Sequence, residues 1–196
     1  MYDLRSKGSV EMSEKVVYDV QPLRSLQDIE DMKQSLRRWC GERDHFLFVL
    51  GINTGLRVSD IVRLRVKDLR GKTHALIVEK KSGKSRRVLL KPIQEEIEAF
   101  TKGMDPNDWL FASRKGNSPI SPTQAYRTLV KAGEMIDRID IGTHTMRKSF
   151  GYHYYKRTKD VATLQQIFNH SAPSITKRYI GITQDEIDDS LDGFKL

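Results

Sequence analysis

The sequence predicts a mostly α-helical domain carrying one small antiparallel β-sheet, an α+β class. Three observations give this prediction. Apolar residues recur at helical spacing over most of the chain, with capping residues at several helix starts. The period changes once, where Ala75-Leu76-Ile77-Val78 and Arg87-Val88-Leu89-Leu90 flank Lys81-Ser82-Gly83-Lys84 in the manner of a β-hairpin. The length, 196 residues, suits one domain with a full core and leaves no room for a second complete one.

Residues 1–20 lack helical periodicity and are expected to form a flexible N-terminal arm, with the domain over 21–196. Ser25 with Asp28 three residues later reads as a capping box for a first helix, whose apolar stripe is Ile29, Met32, Leu36 and Trp39 and whose end is Gly41. The apolar run over 43–53 reads as a buried core helix stopped at Gly55. A short helix with Val58, Ile61, Val62 and Leu64 follows, and then the hairpin. Pro92 opens a helix through Phe100, and Ser121-Pro122 opens another through about Arg138. Thr143 is expected to cap a helix through about Arg157, and Asp160 one through about Phe168. Thr183 with Glu186 forms a second capping box, for a short C-terminal helix with an Ile187 and Leu191 stripe.

Hydrophobic residues make up 38% of the chain and charged residues 31%, with a net charge of +8. No apolar run approaches the roughly 20 residues that span a bilayer, so no membrane association is expected. The first residues lack the apolar core of a signal peptide. The single cysteine, Cys40, excludes an internal disulfide and fits a reducing compartment. The charge is concentrated. Residues 57–91 hold twelve Lys and Arg against three acids, Asp60, Asp68 and Glu79, while residues 183–196 hold five acids and one lysine. A basic face of that density suits a polyanion such as DNA, although a solvated surface has the same composition. Within it, Lys80, Lys84, Arg86 and Arg87 are the candidate DNA-binding residues.

Four short segments carry chemistry: Thr54-Gly55-Leu56-Arg57-Val58-Ser59-Asp60, the hairpin Lys81-Ser82-Gly83-Lys84, His144-Thr145-Met146-Arg147, and Asn169-His170 with Tyr179 nine residues after the histidine. Nucleophilic attack on a phosphodiester needs charge stabilisation on the non-bridging oxygens, an aimed nucleophile, and a proton for the leaving oxygen. No Asp/Glu/His cluster or Cys pair stands at metal-ligand spacing, so arginines would carry the charge, and a guanidinium binds two phosphate oxygens at once. Arg57 follows Gly55 between two helices, and Asp60 three residues on can hold its guanidinium. His144 and Arg147 share a helix face. Lys81 at the hairpin tip is a candidate general acid, and cationic neighbours would lower the pKa of Tyr179 from about 10 toward its nucleophilic phenolate. Each residue alone has a bland reading: a surface arginine, a capping or carbonyl-bound histidine, a solvated lysine, a packing tyrosine. Their joint occurrence in this order carries the argument.

Those segments resemble the signature of the tyrosine recombinases, the phage integrase family, whose chemistry is shared with type IB topoisomerases. Thr54 to Asp60 is similar to the family's first arginine motif, 81–86 to its hairpin lysine segment, His144 to Arg147 to its His-x-x-Arg, and Asn169-His170 with Tyr179 to its Gly-His and nucleophile. The likeness covers about residues 22–190. Lys148 stands where a histidine is common and Asn169 where a glycine is common; asparagine also tolerates a left-handed backbone. The resemblance implies the DNA breaking-rejoining catalytic fold. It implies cleavage and rejoining through a 3′-phosphotyrosine at Tyr179, with Arg57, Arg147 and His170 on the phosphate, His144 moving the tyrosine proton and Lys81 protonating the leaving oxygen. Neither metal nor ATP is then required. The implied partners are double-stranded DNA and further copies of the chain, with exchange of the acidic C-terminal helix, and the implied place of action is the DNA of a bacterial cytoplasm. The family's usual N-terminal clamp domain is not expected within this chain. Two alternatives stay open: a non-cleaving DNA-binding regulator that keeps the fold, and a topoisomerase-like relaxase.

Overall fold

The computed structural model describes residues 19–182 apart from Ser82, together with 186, 188, 189 and 191–195. Most of the expected arm, the hairpin residue Ser82, and the C-terminal positions Thr183 and Ile187 therefore lie outside the described residues. Of the arm, Asp19 and Val20 are described. Val20 is tied down, because its carbonyl accepts a hydrogen bond from Lys148 Nζ at 2.5 Å.

The first helix, α1 (Leu26–Trp39), begins as expected: Ser25 Oγ accepts from the Asp28 N–H, and Asp28 Oδ2 accepts from the Ser25 N–H. Met32 and Leu36 face inward, but Trp39 is exposed and lies beside the Arg38 guanidinium. Helix α2 (Glu42–Thr54) is the buried helix that the apolar run predicts, and Gly55 ends it in the left-handed region at φ 61. Two one-turn helices follow, α3 (Val58–Ile61) and α4 (Val66–Leu69), in place of the single short helix expected. The hairpin is present. Strand β1 (His74–Val78) pairs antiparallel with β2 (Ser85–Leu89), with Ala75 opposite Val88 and Ile77 opposite Arg86. The second strand starts at Ser85, two residues earlier than the apolar run indicates, and so takes in Arg86.

Further helices among the described residues are α5 (Gln94–Thr101), which follows a 3-10 turn at Lys91–Ile93, α6 (Pro122–Glu134), α7 (Thr145–Thr158), α8 (Val161–Phe168) and α9 (Pro173–Ile180), and 186, 188, 189 and 191 are also helical. Helix α6 stops four residues short of Arg138, whose guanidinium is instead held by Asp140 and Asp28. The N-cap position of α7 is His144, not Thr143, and no side chain caps it; Thr145 Oγ1 instead accepts from the Gly142 N–H. Asp160 caps α8 as expected, accepting from the Thr163 N–H at 2.9 Å. Helix α9 was not expected. Its start signal is Pro173, whose fixed φ and missing N–H suit a first helical turn.

Two apolar clusters hold the chain together. The larger gathers α1, α2, the inner face of the sheet, α5 and α6, and includes the stacked Phe46, Phe100 and Phe111. The smaller gathers Tyr152, Tyr155, Leu164, Phe168, Ile180 and Ile182 beneath α8 and α9. Helix α7 belongs to both, giving Met146 to the first and Tyr152 and Tyr155 to the second. Close approach is built in at the first turn and at the middle of that helix. A Cβ on Gly51 would sit 2.5 Å from Met146 Sδ, and one on Gly151 would sit 2.6 Å from Ile180 Cγ2 and 2.8 Å from Phe168 Cε2. The seam between the clusters is where the chemistry-bearing residues collect.

Candidate active site

Arg57 reaches the seam because Gly55 turns the chain at the end of α2 and Arg57 itself is extended, with φ −72 and ψ 145. Arg147 reaches it from the first turn of α7 and is 3% exposed. Its guanidinium bridges the two halves of the domain: Nη1 donates to the Gly55 carbonyl at 2.6 Å and Nη2 to the Phe168 carbonyl at 3.0 Å. Each nitrogen keeps a second N–H for another acceptor. His170 follows Asn169, which adopts the left-handed conformation (φ 51, ψ 47) that the sequence required of it. His170 Nδ1 is 3.0 Å from Oγ1 of the buried Thr176 on α9, which fixes the ring.

Tyr179, on the last turn of α9, points into this cluster. Its hydroxyl lies 2.9 Å from His144 Nδ1. Its ring meets His170 edge to face, with centroids 5.3 Å apart, and Phe168 likewise at 5.6 Å. Lys148 Nζ stands 5.6 Å from the same ring. A cavity of about 170 Å³ opens beside the hydroxyl's partner, lined by Arg57, Ser59, Thr143, His144 and Arg147 among others. Among the described residues no cluster of three or more His, Cys, Asp or Glu side chains could hold a metal ion.

The electrostatics correct one expectation. Burial raises the pKa of Tyr179, and the nearby Arg147 and Arg57 only partly offset it. The tyrosine is therefore a neutral phenol at pH 7, not a standing phenolate. Burial lowers the pKa of His144, and Lys148, Arg147, Arg57 and Lys81 push it the same way. Its imidazole is thus neutral at pH 7, with a nitrogen lone pair available to the tyrosine proton. His170 is lowered by burial and then by the two arginines. Burial also brings Arg147 down to about 10, which still leaves it charged.

The hairpin contributes more than the sequence indicated. Lys81 lies exposed in the turn. Lys84, expected on the DNA-facing surface, reaches across to Asn169, with Nζ 3.3 Å from Oδ1, so the hairpin leans on the His170 turn. Lys80 and Arg87 are exposed as expected. Arg86 is half-buried rather than exposed: its guanidinium is largely buried and donates from Nη2 to the Thr54 carbonyl at 2.7 Å. Asp60 also departs from expectation. The acid on Arg57 is Glu79, with Oε2 2.8 Å from Arg57 Nη1, while Asp60 Oδ1 accepts the backbone N–H of Lys80 at 2.9 Å. Asp68, the third acid of the basic segment, caps α4 through the Arg65 N–H. All three acids are thus engaged within the fold, Asp60 and Glu79 each only 3% exposed. Asp60 and Glu79 share that interior with Arg57 and Arg86, so the cations left on the surface of the segment face few acids.

Sequence reasoning brought Arg57, His144, Arg147, His170 and Tyr179 to one place, with Lys81 beside them, and the structure does the same. It missed Glu79, Thr176 and Phe168. Glu79 had one available signal, an acid directly before two lysines at a hairpin turn. Thr176 and Phe168 had none, since their roles depend on how α8 and α9 fold together.

Residues 25–186 match the family model described as "Phage integrase family". The "Probable integrase/recombinase YoeC" of Bacillus subtilis is 52% identical over 167 residues, which is 85% of this chain and 92% of that protein. The crystal structure of XerA recombinase superposes with a TM-score of 0.68 at 17% identity, covering 90% of this chain and 66% of that one. A post-cleavage complex of XerH site-specific recombinase on a palindromic difH substrate gives 0.65 at 18% identity, covering 85% and 51%. The chain thus spans between half and two thirds of those solved recombinases.

Proposed function

The chain belongs to the phage integrase family, and from that premise we propose that it is a site-specific DNA recombinase working through a 3′-phosphotyrosine at Tyr179. The observation that carries this reading is the 2.9 Å contact of the Tyr179 hydroxyl with His144 Nδ1 at the edge of a cavity walled by Arg57 and Arg147. The scissile phosphate would take the free N–H groups of the two arginines, with His170 adding a hydrogen bond. The Tyr179 oxygen attacks phosphorus as its proton passes to His144 Nδ1. The bond from phosphorus to the 5′-oxygen breaks, and Lys81 gives that oxygen its proton. The product is a 3′-phosphotyrosine and a free 5′-hydroxyl. A 5′-hydroxyl from a partner strand then reverses the steps, so the bond energy stays in the linkage.

In this reading residues 21–196 form the catalytic domain, acting on DNA in the cytoplasm. Among the described residues no helix is long and apolar enough to cross a membrane. Recombination also brings copies of the chain together on DNA, with the acidic C-terminal segment as the exchanged element. Glu186 sits on its own domain, beside Tyr155 Oη and 2.9 Å from Lys177 Nζ, so exchange would start beyond it. Leu191 and Phe194 are exposed there.

The test is a nicked suicide duplex carrying the cognate site. Wild-type protein should give a denaturation-resistant adduct that Tyr179→Phe does not. If wild type binds the site and forms no adduct, the non-cleaving regulator becomes the better reading.

A further inference from the structure

Arg57 and the hairpin of Lys81 come from separate parts of the chain, and two buried carboxylates join them in opposite directions. Glu79 belongs to the hairpin. Its N–H donates to the Lys84 carbonyl at 3.0 Å and its carbonyl accepts from the Gly83 N–H at 2.8 Å, so its backbone closes the turn. Its side chain, 4% exposed, points inward to Arg57, with the 2.8 Å contact at Nη1. Asp60 belongs to the helix that follows Arg57, and its Oδ1 reaches back to the Lys80 N–H at 2.9 Å. The hairpin thus holds the arginine by a side chain, while the arginine's own helix holds the hairpin by its backbone.

We propose that Glu79 is a positioning residue for phosphoryl transfer: it sets Arg57 against the scissile phosphate and, through the turn it closes, keeps the Lys81 hairpin in register with that arginine. This rests on the reading of Arg57 as a phosphate ligand. Three observations favour it. A buried carboxylate is costly unless paired, and the net charge of a DNA-binding segment is lowered by having it. Its placement therefore needs a reason beyond surface chemistry. The contact is one of charge, since no N–H of Arg57 Nη1 is aligned along a hydrogen bond. The carboxylate thus restrains the guanidinium without consuming a directed bond. Finally, Arg86 lies within the electrostatic reach of Glu79, Arg57 and Asp60, giving a group of two cations and two anions that is neutral as a whole. Such a charge-balanced group fixes the position of Arg57.

The experiment compares Glu79→Gln, Arg57→Ala, the double variant and wild type in full-length protein. It measures single-turnover adduct formation on a suicide duplex with the natural 5′-oxygen and on one with sulfur at that bridging position. A thiolate departs without a proton, so the sulfur duplex removes the need for Lys81. We expect Glu79→Gln to slow adduct formation about tenfold or more on both duplexes, with DNA affinity held within about twofold of wild type. In the double variant the loss should not exceed that of Arg57→Ala alone. Three results overturn the proposal: a Glu79→Gln rate within about twofold of wild type, a loss confined to the oxygen duplex, or additive losses in the double variant. If Glu79→Gln melts well below wild type, Glu79→Asp replaces it. That variant keeps the charge one methylene short of Arg57, and it must show the same pattern on both duplexes. Wild type failing to form any adduct would instead overturn the underlying recombinase reading.

Discussion

Arg147→Lys separates two jobs that the geometry gives to one guanidinium. The substitution keeps the charge and loses the fork. In the native protein two nitrogens of that fork reach two carbonyls on opposite sides of the seam, Gly55 at 2.6 Å and Phe168 at 3.0 Å. A single ammonium on a shorter stem serves one of them at best. The other becomes a buried acceptor without a partner, which costs about 1–3 kcal/mol. The desolvation of the cation, visible in the fall of the arginine pKa to about 10, is retained by a lysine and so does not offset that loss. For a domain of this size each kcal/mol lowers Tm by about 2–4 °C, so the variant should melt roughly 4–8 °C below wild type for a loss near the middle of that range. Thermal unfolding followed by far-ultraviolet circular dichroism measures this, with Tyr179→Phe as the control. That variant abolishes the nucleophile and gives up only the hydroxyl's contacts with His144 and the Arg147 side chain, so it should melt within about 2 °C of wild type. An Arg147→Lys protein that melts with wild type would refute the idea that this arginine bolts the two halves together. Its role would then be confined to the phosphate.

Gly151→Ala places a methyl group 2.6 Å from Ile180 and 2.8 Å from Phe168; we expect a loss of about 1–3 kcal/mol in urea unfolding and slower adduct formation, because α9 carries Tyr179. Equal stability would show that α9 yields without strain. Single-turnover cleavage at saturating DNA should rise with pH through the titration of His144 and then level off, since the base must be neutral to accept the proton; His144→Gln should remove that rising limb. In Tyr179→Phe protein, NMR titration should find the His144 pKa below the ordinary 6.5 and should find it higher once DNA is bound. A further fall on binding would contradict the assignment of the arginines to the phosphate. DNA affinity should drop steeply with salt, with a log–log slope of about −5 if some six cations of the basic segment contact phosphates; a flat dependence would remove that segment from the interface.

Local signals in the sequence were enough for several elements that begin with a cap or end with a glycine, though not for α7, whose cap position is His144 and not Thr143. The Ser25–Asp28 box, the Gly55 stop and the Asp160 cap each depend on atoms within a few residues, and each is found as expected. The hairpin was equally legible. What was not legible depends on partners far along the chain. Asp60 and Glu79 lie 19 positions apart, and only the docking of the hairpin beside α3 decides which carboxylate meets Arg57. Arg86 reads as one more surface cation until the strand alternation turns it inward opposite Ile77. Helix α9 was hidden because Ala172 at its N-cap gives no side-chain capping signal, although Pro173 marks its start. The expected phenolate at Tyr179 failed for a related reason. Counting cationic neighbours in the sequence gave the sign of the charge effect, but the larger effect is burial, which only packing against Phe168 and His170 reveals.

That correction bears on how the reaction is timed. In the free protein the arginines lower the pKa of Tyr179 and also that of His144, so the field that favours the phenolate weakens the base that would make it. A phosphate bound between Arg57 and Arg147 changes both. Its negative charge offsets the two guanidinium groups, so the tyrosine loses the assistance of their field and its phenolate becomes still less accessible on its own. By the same step His144 is relieved of two of the cations that depress it, and becomes a stronger base at 2.9 Å from the hydroxyl. A tyrosine ionised in advance is thus disfavoured when the substrate is present. Proton transfer to His144 as the bond to phosphorus forms becomes the accessible route. In the proposed reaction, the burial that first looks like an obstacle to nucleophilicity would keep Tyr179 inert until a phosphodiester occupies the cavity.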